Sequence, residues 1–129
     1  GVDVSGVLRG GERIGAYYVE RGGGARSASV TYDRKGSAIA TVDPDSLDWN
    51  TLLAGAGALH ISGITPALSD AAATAARQGM EAARRLGVAV SMDVNYRAKL
   101  WSEADAGRTL APFLDLLDWC VCNETHARK

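Results

Sequence analysis

With 129 residues, 47% of them hydrophobic, the chain is the length of one ordinary domain and carries enough apolar side chain to build a core. Fourteen Lys and Arg against fifteen Asp and Glu give a net charge of -1, which leaves no basic footprint for DNA, RNA or an anionic membrane. No apolar run approaches the ~20 residues of a membrane span, and Gly1 to Ser5 shows no basic stretch ahead of an apolar one, so a cytoplasmic, unexported protein is expected.

In chain order, Arg13 to Glu20 and Ser27 to Arg34 are short runs containing Tyr and Val, separated by the Gly22 to Gly24 turn, and they predict an antiparallel hairpin or meander. The organisation changes near Asp43. Beyond it apolar runs alternate with Ala-rich segments, the pattern of βαβ units on a parallel sheet. Leu47 to Ala54 predicts a short helix after the Asp43-Pro44-Asp45 turn, and Ala58 to Ser62 a buried strand. Ser69 is an N-cap candidate for a helix in which Ala72, Ala76, Met80 and Ala83 recur on one stripe and which Gly87 ends. The nearly continuous apolar run from Val88 to Val94 is expected of a central parallel strand covered on both faces. Ser102 caps a further helix toward Phe113, and Trp119 to Cys122 predicts a last strand.

Cys120 and Cys122 share one face of that strand, a spacing that suits neither a disulfide nor, without further ligands, a zinc site. They are expected to be reduced packing residues. Ligands of open α/β sheets bind beyond the carboxyl ends of the strands, and three strands here end in polar residues: Ser62, the Asp93-Asn95-Arg97 stretch and Asn123-Glu124. Ordinary turn and cap roles are the alternative reading for each.

Three segments carry a family likeness. Asp93-Val94-Asn95-Tyr96-Arg97 followed by Leu100-Trp101 resembles the D-x-N-Y-R-x-x-L-W segment of 2-keto-3-deoxygluconate kinases of the ribokinase-like (PfkB) carbohydrate kinase family. Leu59 to Ser69 is similar to its L-H-x-S-G-I-x-x-A-L-S, and Tyr32 to Ala38 to its Y-x-R-x-x-S-A. Order and spacing agree as well, so the likeness runs from about Gly1 to Glu124.

The resemblance implies a ribokinase-like α/β fold: a mostly parallel sheet with flanking helices and a small β-sheet lid over the sugar, here an incomplete copy. Residues 1–42 would form the lid region and residues 43–129 part of the α/β core. It further implies that Tyr17, Tyr32 and Arg34 from the lid, with Ile64 and Arg97 from the core, contact the sugar acid. Asp93, Asn95 and Asn123 would lie toward nucleotide and phosphate. The intact enzyme would use ATP and Mg2+ to phosphorylate a sugar hydroxyl, with homo-oligomers forming through the lid strands. The chemistry fits the lid pair: Tyr32 and Arg34 lie two apart on a strand and share a face, and a guanidinium can donate a parallel pair of bonds to a carboxylate.

Two departures stand against a complete kinase. The family's N-x-x-E glutamate, which helps organise magnesium, falls at His126, a poor partner for a cation that prefers oxygen ligands, and Glu124 is displaced by two residues. The G-A-G-D-like loop that supplies the family's catalytic aspartate and anion hole has no counterpart, so no catalytic residue is assigned and the chain alone is expected to be inactive. His126 is expected at the surface and His60 packed. The alternatives are a non-catalytic sugar-acid binding module and a dimerising structural domain.

Overall fold

The computed structural model describes residues 1–24 and 27–124. Two sheets organise it. β1 (Ala16–Glu20) and β2 (Ser29–Asp33) pair antiparallel, with Tyr17 opposite Tyr32 and Val19 opposite Val30. β3 (Ala58–Ser62), β4 (Ala89–Asp93) and β5 (Trp119–Val121) form a parallel sheet in that order. The hairpin and the parallel sheet are therefore as the sequence predicts.

Helices link the parallel strands because their ends are locally encoded. α2 (Asp70–Leu86) begins where the Ser69 hydroxyl accepts the Ala72 amide at 3.0 Å and stops where Gly87 takes a left-handed φ of 71°. Ser102 caps α3 (Glu103–Leu114) in the same way, through the Asp105 amide at 3.1 Å. The helix expected over Leu47 to Ala54 shrinks to α1 (Trp49–Leu52), preceded by a 3-10 turn at Pro44–Ser46. Its start is delayed because the Asp48 side chain caps the Thr51 amide, which fixes the helix entry one residue beyond Leu47.

One core holds these parts together. Met80, Ala82 and Ala83 of α2 and Leu110 and Phe113 of α3 pack with Val90 and Met92 of β4. Met80, Val90 and Met92 are wholly buried, each stabilising the fold by about 1.5 to 3 kcal/mol relative to exposure. Asp118 ties the layers at the edge: its carboxylate accepts the Val90 amide and pairs with Arg84, both at 2.8 Å. The hydrogen bond from Val90 is the main reason its carboxyl is held below the ordinary range; Arg84 adds to the effect and partial burial opposes it.

Expectations of burial fail where the parallel sheet is left open: β3, expected to be a buried strand, has Ala58 and His60 exposed and Leu59, Ile61 and Ser62 only half-buried. Strand β4 is not covered on both faces: Val90 and Met92 are buried, while Ala89, Ser91 and Asp93 on the other face are only half-buried. Register places His60, Ser91 and Trp119 side by side on that second face, where His60 is exposed rather than packed and its Nδ1 lies 2.8 Å from the Ser91 hydroxyl. Cys120 and Cys122 are free thiols, as expected, but exposed rather than packed, since β5 is the edge of the sheet. Partial burial still raises the Cys120 thiol above its usual pKa, helped by Cys122 and Asp93. His126 lies outside the described residues.

Candidate functional site

The carboxyl ends of the parallel strands lie in register, Ser62 beside Asp93 and Asp93 beside Val121. The Gly63 amide continues the ladder by donating to the Asp93 carbonyl at 2.7 Å, and Val94 donates to Val121 at 2.9 Å. A Cβ at residue 63 would stand 2.1 Å from the Val94 carbonyl oxygen, so only glycine allows this approach. Beyond it the chain turns sharply. Asn95 takes a φ of 44°, its amide bonded to the Asp93 carboxylate at 3.0 Å and its side chain to the Ser62 hydroxyl at 3.2 Å. Asp93 and Asn95 thus build the turn that aims the following loop, a local use of the kind Asp and Asn serve in tight turns.

That loop meets the lid. Leu100 bonds back to the Arg97 carbonyl at 2.9 Å, closing a turn that presents Arg97 to Leu100 toward β2. A pocket of about 280 Å³ lies between them, lined by Val30, Tyr32 and Arg34 from the lid and Arg97, Ala98, Lys99 and Leu100 from the loop. This is close to the lower end of the about 300 to 1,000 Å³ typical of ligand pockets, a size for a small metabolite. Three of its lining side chains are cations and none is a carboxylate. Among the described residues, no ion pair engages Arg34, Arg97 or Lys99.

The lid wall is pre-arranged. The Arg34 guanidinium lies 4.6 Å over the Tyr32 ring, a cation–π contact, and Tyr17 packs against that ring with centroids 6.4 Å apart. Arg34 is further fixed by the turn after it, where the Ser37 amide donates to the Arg34 carbonyl at 3.1 Å and Ala38 donates to Arg13 at 2.8 Å. Arg13 in turn grips Asp33 at 2.6 Å and the Lys35 carbonyl at 2.7 Å.

Of the residues singled out from sequence, the structure brings Tyr32, Arg34 and Arg97 to one pocket, with Tyr17 behind Tyr32. Ile64 is half-buried beside the strand ends, its amide donating to the Ser62 hydroxyl at 3.3 Å, and it does not line that pocket. Asp93 and Asn95 lie below the loop, and Asn123 just past β5. Lys99, two residues beyond Arg97, was not singled out from sequence, although the D-x-N-Y-R-x-x-L-W segment spans it. As for magnesium, no group of three or more His, Cys, Asp or Glu among the described residues could hold a metal ion. Asp93 is already committed to the Asn95 amide. The oxygen-rich shell that Mg2+ prefers is not supplied by the described residues.

This architecture, a parallel α/β sheet with a small antiparallel sheet carrying part of a pocket, is a partial copy of the ribokinase-like fold of PfkB carbohydrate kinases. The crystal structure of 2-dehydro-3-deoxygluconokinase from Thermotoga maritima matches with a TM-score of 0.89 and 40% identity, over 94% of this chain and 37% of that one. A PfkB family carbohydrate kinase from Listeria grayi matches with a TM-score of 0.91 and 38% identity, over 98% and 39%. In sequence, the 2-dehydro-3-deoxygalactonokinase of Haloferax volcanii is 40% identical over 108 residues, 81% of this chain and 34% of the relative. The 2-dehydro-3-deoxygluconokinase of Thermoproteus tenax is 39% identical over 123 residues, 94% and 36% respectively. No family model matches the chain. The likeness to 2-keto-3-deoxygluconate (2-dehydro-3-deoxygluconate) kinases read from the three motifs is therefore borne out, and the chain spans little more than a third of the length of these relatives.

Proposed function

We propose that this chain is the acid-recognising part of a longer ATP-dependent kinase that phosphorylates a hydroxyl of 2-keto-3-deoxygluconate or a closely related sugar acid. In this reading residues 1–42 are the lid region and residues 43–129 part of the core. The observation that carries it is the pocket shared by Tyr32, Arg34 and Arg97, in which cations from the lid and from the loop after β4 line a small space that no carboxylate lines. Arg34 is half-buried and Arg97 and Lys99 are exposed, and none is ion-paired among the described residues, so their positive charge is available to an anionic ligand entering between them. Arg34 would grip the carboxylate, with Tyr32 holding its guanidinium in place and Tyr17 backing Tyr32. Arg97 would complete the anion's surroundings from the core, and Ile64, at the strand ends, would face the sugar. ATP and Mg2+ would be bound mainly by parts of the intact enzyme outside this chain, with Asp93, Asn95 and Asn123 on the phosphate side. The chain by itself carries out no transfer on this reading, since nothing in it matches the loop that supplies the family's catalytic aspartate.

The test compares acid and neutral sugars. Charge-assisted hydrogen bonds contribute about 1.5 to 3 kcal/mol, so Arg34→Ala in the longer kinase should lower kcat/KM for the acid at least roughly tenfold. Arg34→Lys keeps the charge but loses the fork and should fall between. A neutral sugar should lose far less. Equal losses for both substrates would show that Arg34 supports the lid instead of reading the acid.

A further inference from the structure

A two-stranded sheet is marginal in water on its own, so β1 and β2 need an outside hold to keep Tyr32 and Arg34 in place. Arg13 secures the end of β2 through Asp33 and Lys35. The middle of β2 is held from elsewhere: the Lys99 ammonium, on the loop after β4, donates to the main-chain carbonyl of Val30 at 3.4 Å, joining residues 69 apart in sequence. Val30 pairs with Val19, so this contact reaches both lid strands. Arg34 and Arg97 already line the pocket and carry guanidinium groups, the chemistry suited to a carboxylate, whereas Lys99 offers a point charge that is turned to a neutral carbonyl.

We propose that Lys99 is a positioning residue, a latch that moors β2 to the core loop so that Arg34 and Arg97 face the same ligand anion. The proposal rests on the reading of this pocket as the sugar-acid site only for its functional consequence. The latch itself is a matter of geometry. It divides labour with Arg34: the arginine reads the acid, and the lysine sets the wall that carries the arginine. A latch therefore matters to every ligand the lid covers, charged or neutral.

The experiment uses the full chain without ligand. Amide hydrogen exchange is followed in wild type, Lys99→Met and Lys99→Arg. Removal of one hydrogen bond should speed exchange in β1 and β2 by about three- to tenfold and leave β3 and β4 unchanged. Lys99→Arg, which still reaches a carbonyl, should restore slow exchange. Unchanged lid exchange, an increase spread over both sheets, or failure of arginine to restore it would each overturn the latch. Binding of 2-keto-3-deoxygluconate and a neutral sugar analogue is measured alongside. Lys99→Met should weaken both by a similar factor, and a loss confined to the acid would overturn the latch by making Lys99 an anion reader. If wild type binds neither sugar, the exchange result still decides the latch, and the site reading is decided separately by Arg34→Ala in the longer kinase.

Discussion

The contact that should respond most sharply to a single added methyl group is the crossing of Gly63 and Val94, which joins the core sheet to the candidate site. In Gly63→Ala the new Cβ would meet the Val94 carbonyl oxygen at 2.1 Å and its carbon at 2.9 Å, both main-chain atoms with no rotamer to change. A carbon–oxygen contact settles at about 3.3 to 3.6 Å, so the ends of β3 and β4 must part by more than about 1 Å. That loses the 2.7 Å bond from the Gly63 amide to Asp93, worth about 0.5 to 1.5 kcal/mol, and adds overpacking of about 1 to 3 kcal/mol. The expected loss is about 2 to 4 kcal/mol. At an unfolding entropy of about 2.1 cal/mol/K per residue, that corresponds to a Tm lowered by about 7 to 15 °C. Calorimetry and urea titration of wild type and variant measure it. A loss under about 1 kcal/mol would refute the argument that this approach is rigid, and with it the claim that only glycine allows it.

Two further outcomes follow from the core and its edge. Met80, wholly buried between α2 and the sheet, should cost about 2 to 5 kcal/mol on change to Ala and under about 1.5 kcal/mol on change to Leu, as read by urea unfolding; similar values for both would mean the site is loosely packed. Asp118 has its carboxyl lowered in the fold, first by the Val90 amide and then by Arg84. A depressed folded pKa means the carboxylate stabilises above the unfolded value and the benefit disappears as pH falls through the folded one. Asp118→Asn should therefore melt lower than wild type near neutrality, with the gap constant down to about pH 4 and closing below it. A gap independent of pH would show that Asp118 acts by shape alone.

The parts of the fold that are local in origin are legible in the sequence. Ser69 and Ser102 mark the starts of α2 and α3, and Gly87 marks the end of α2, because each solves a hydrogen-bonding or backbone problem within a few residues of itself. The three parallel strands follow from apolar runs between those helices. Burial is less legible. A period of two tells that His60 and Ser91 can share a face with Trp119, but whether the face is covered depends on what packs there from elsewhere. Trp119 and Val121 are 58% and 56% exposed on it, and an apolar side chain records its own preference without recording whether a neighbour satisfies it.

The same distinction divides the site. Tyr32, Arg34 and Arg97 could be picked out because side-chain chemistry and motif likeness mark them, and they do line one pocket. Their mutual arrangement rests on groups that have no sequence signature. The Val30 carbonyl that holds Lys99 would be there whatever residue stood at position 30, and the Val94 carbonyl that excludes a side chain at Gly63 is equally anonymous. Main-chain acceptors become specific only when the fold delivers them to a particular donor or a particular gap. The sequence therefore marks the residues whose chemistry suits an anion, while the turn at Asn95 and the pairing of β1 with β2 bring two of them, Arg34 and Arg97, to one pocket. A substitution that leaves every recognised residue in place, such as Lys99→Met, should for that reason still separate Arg34 from Arg97.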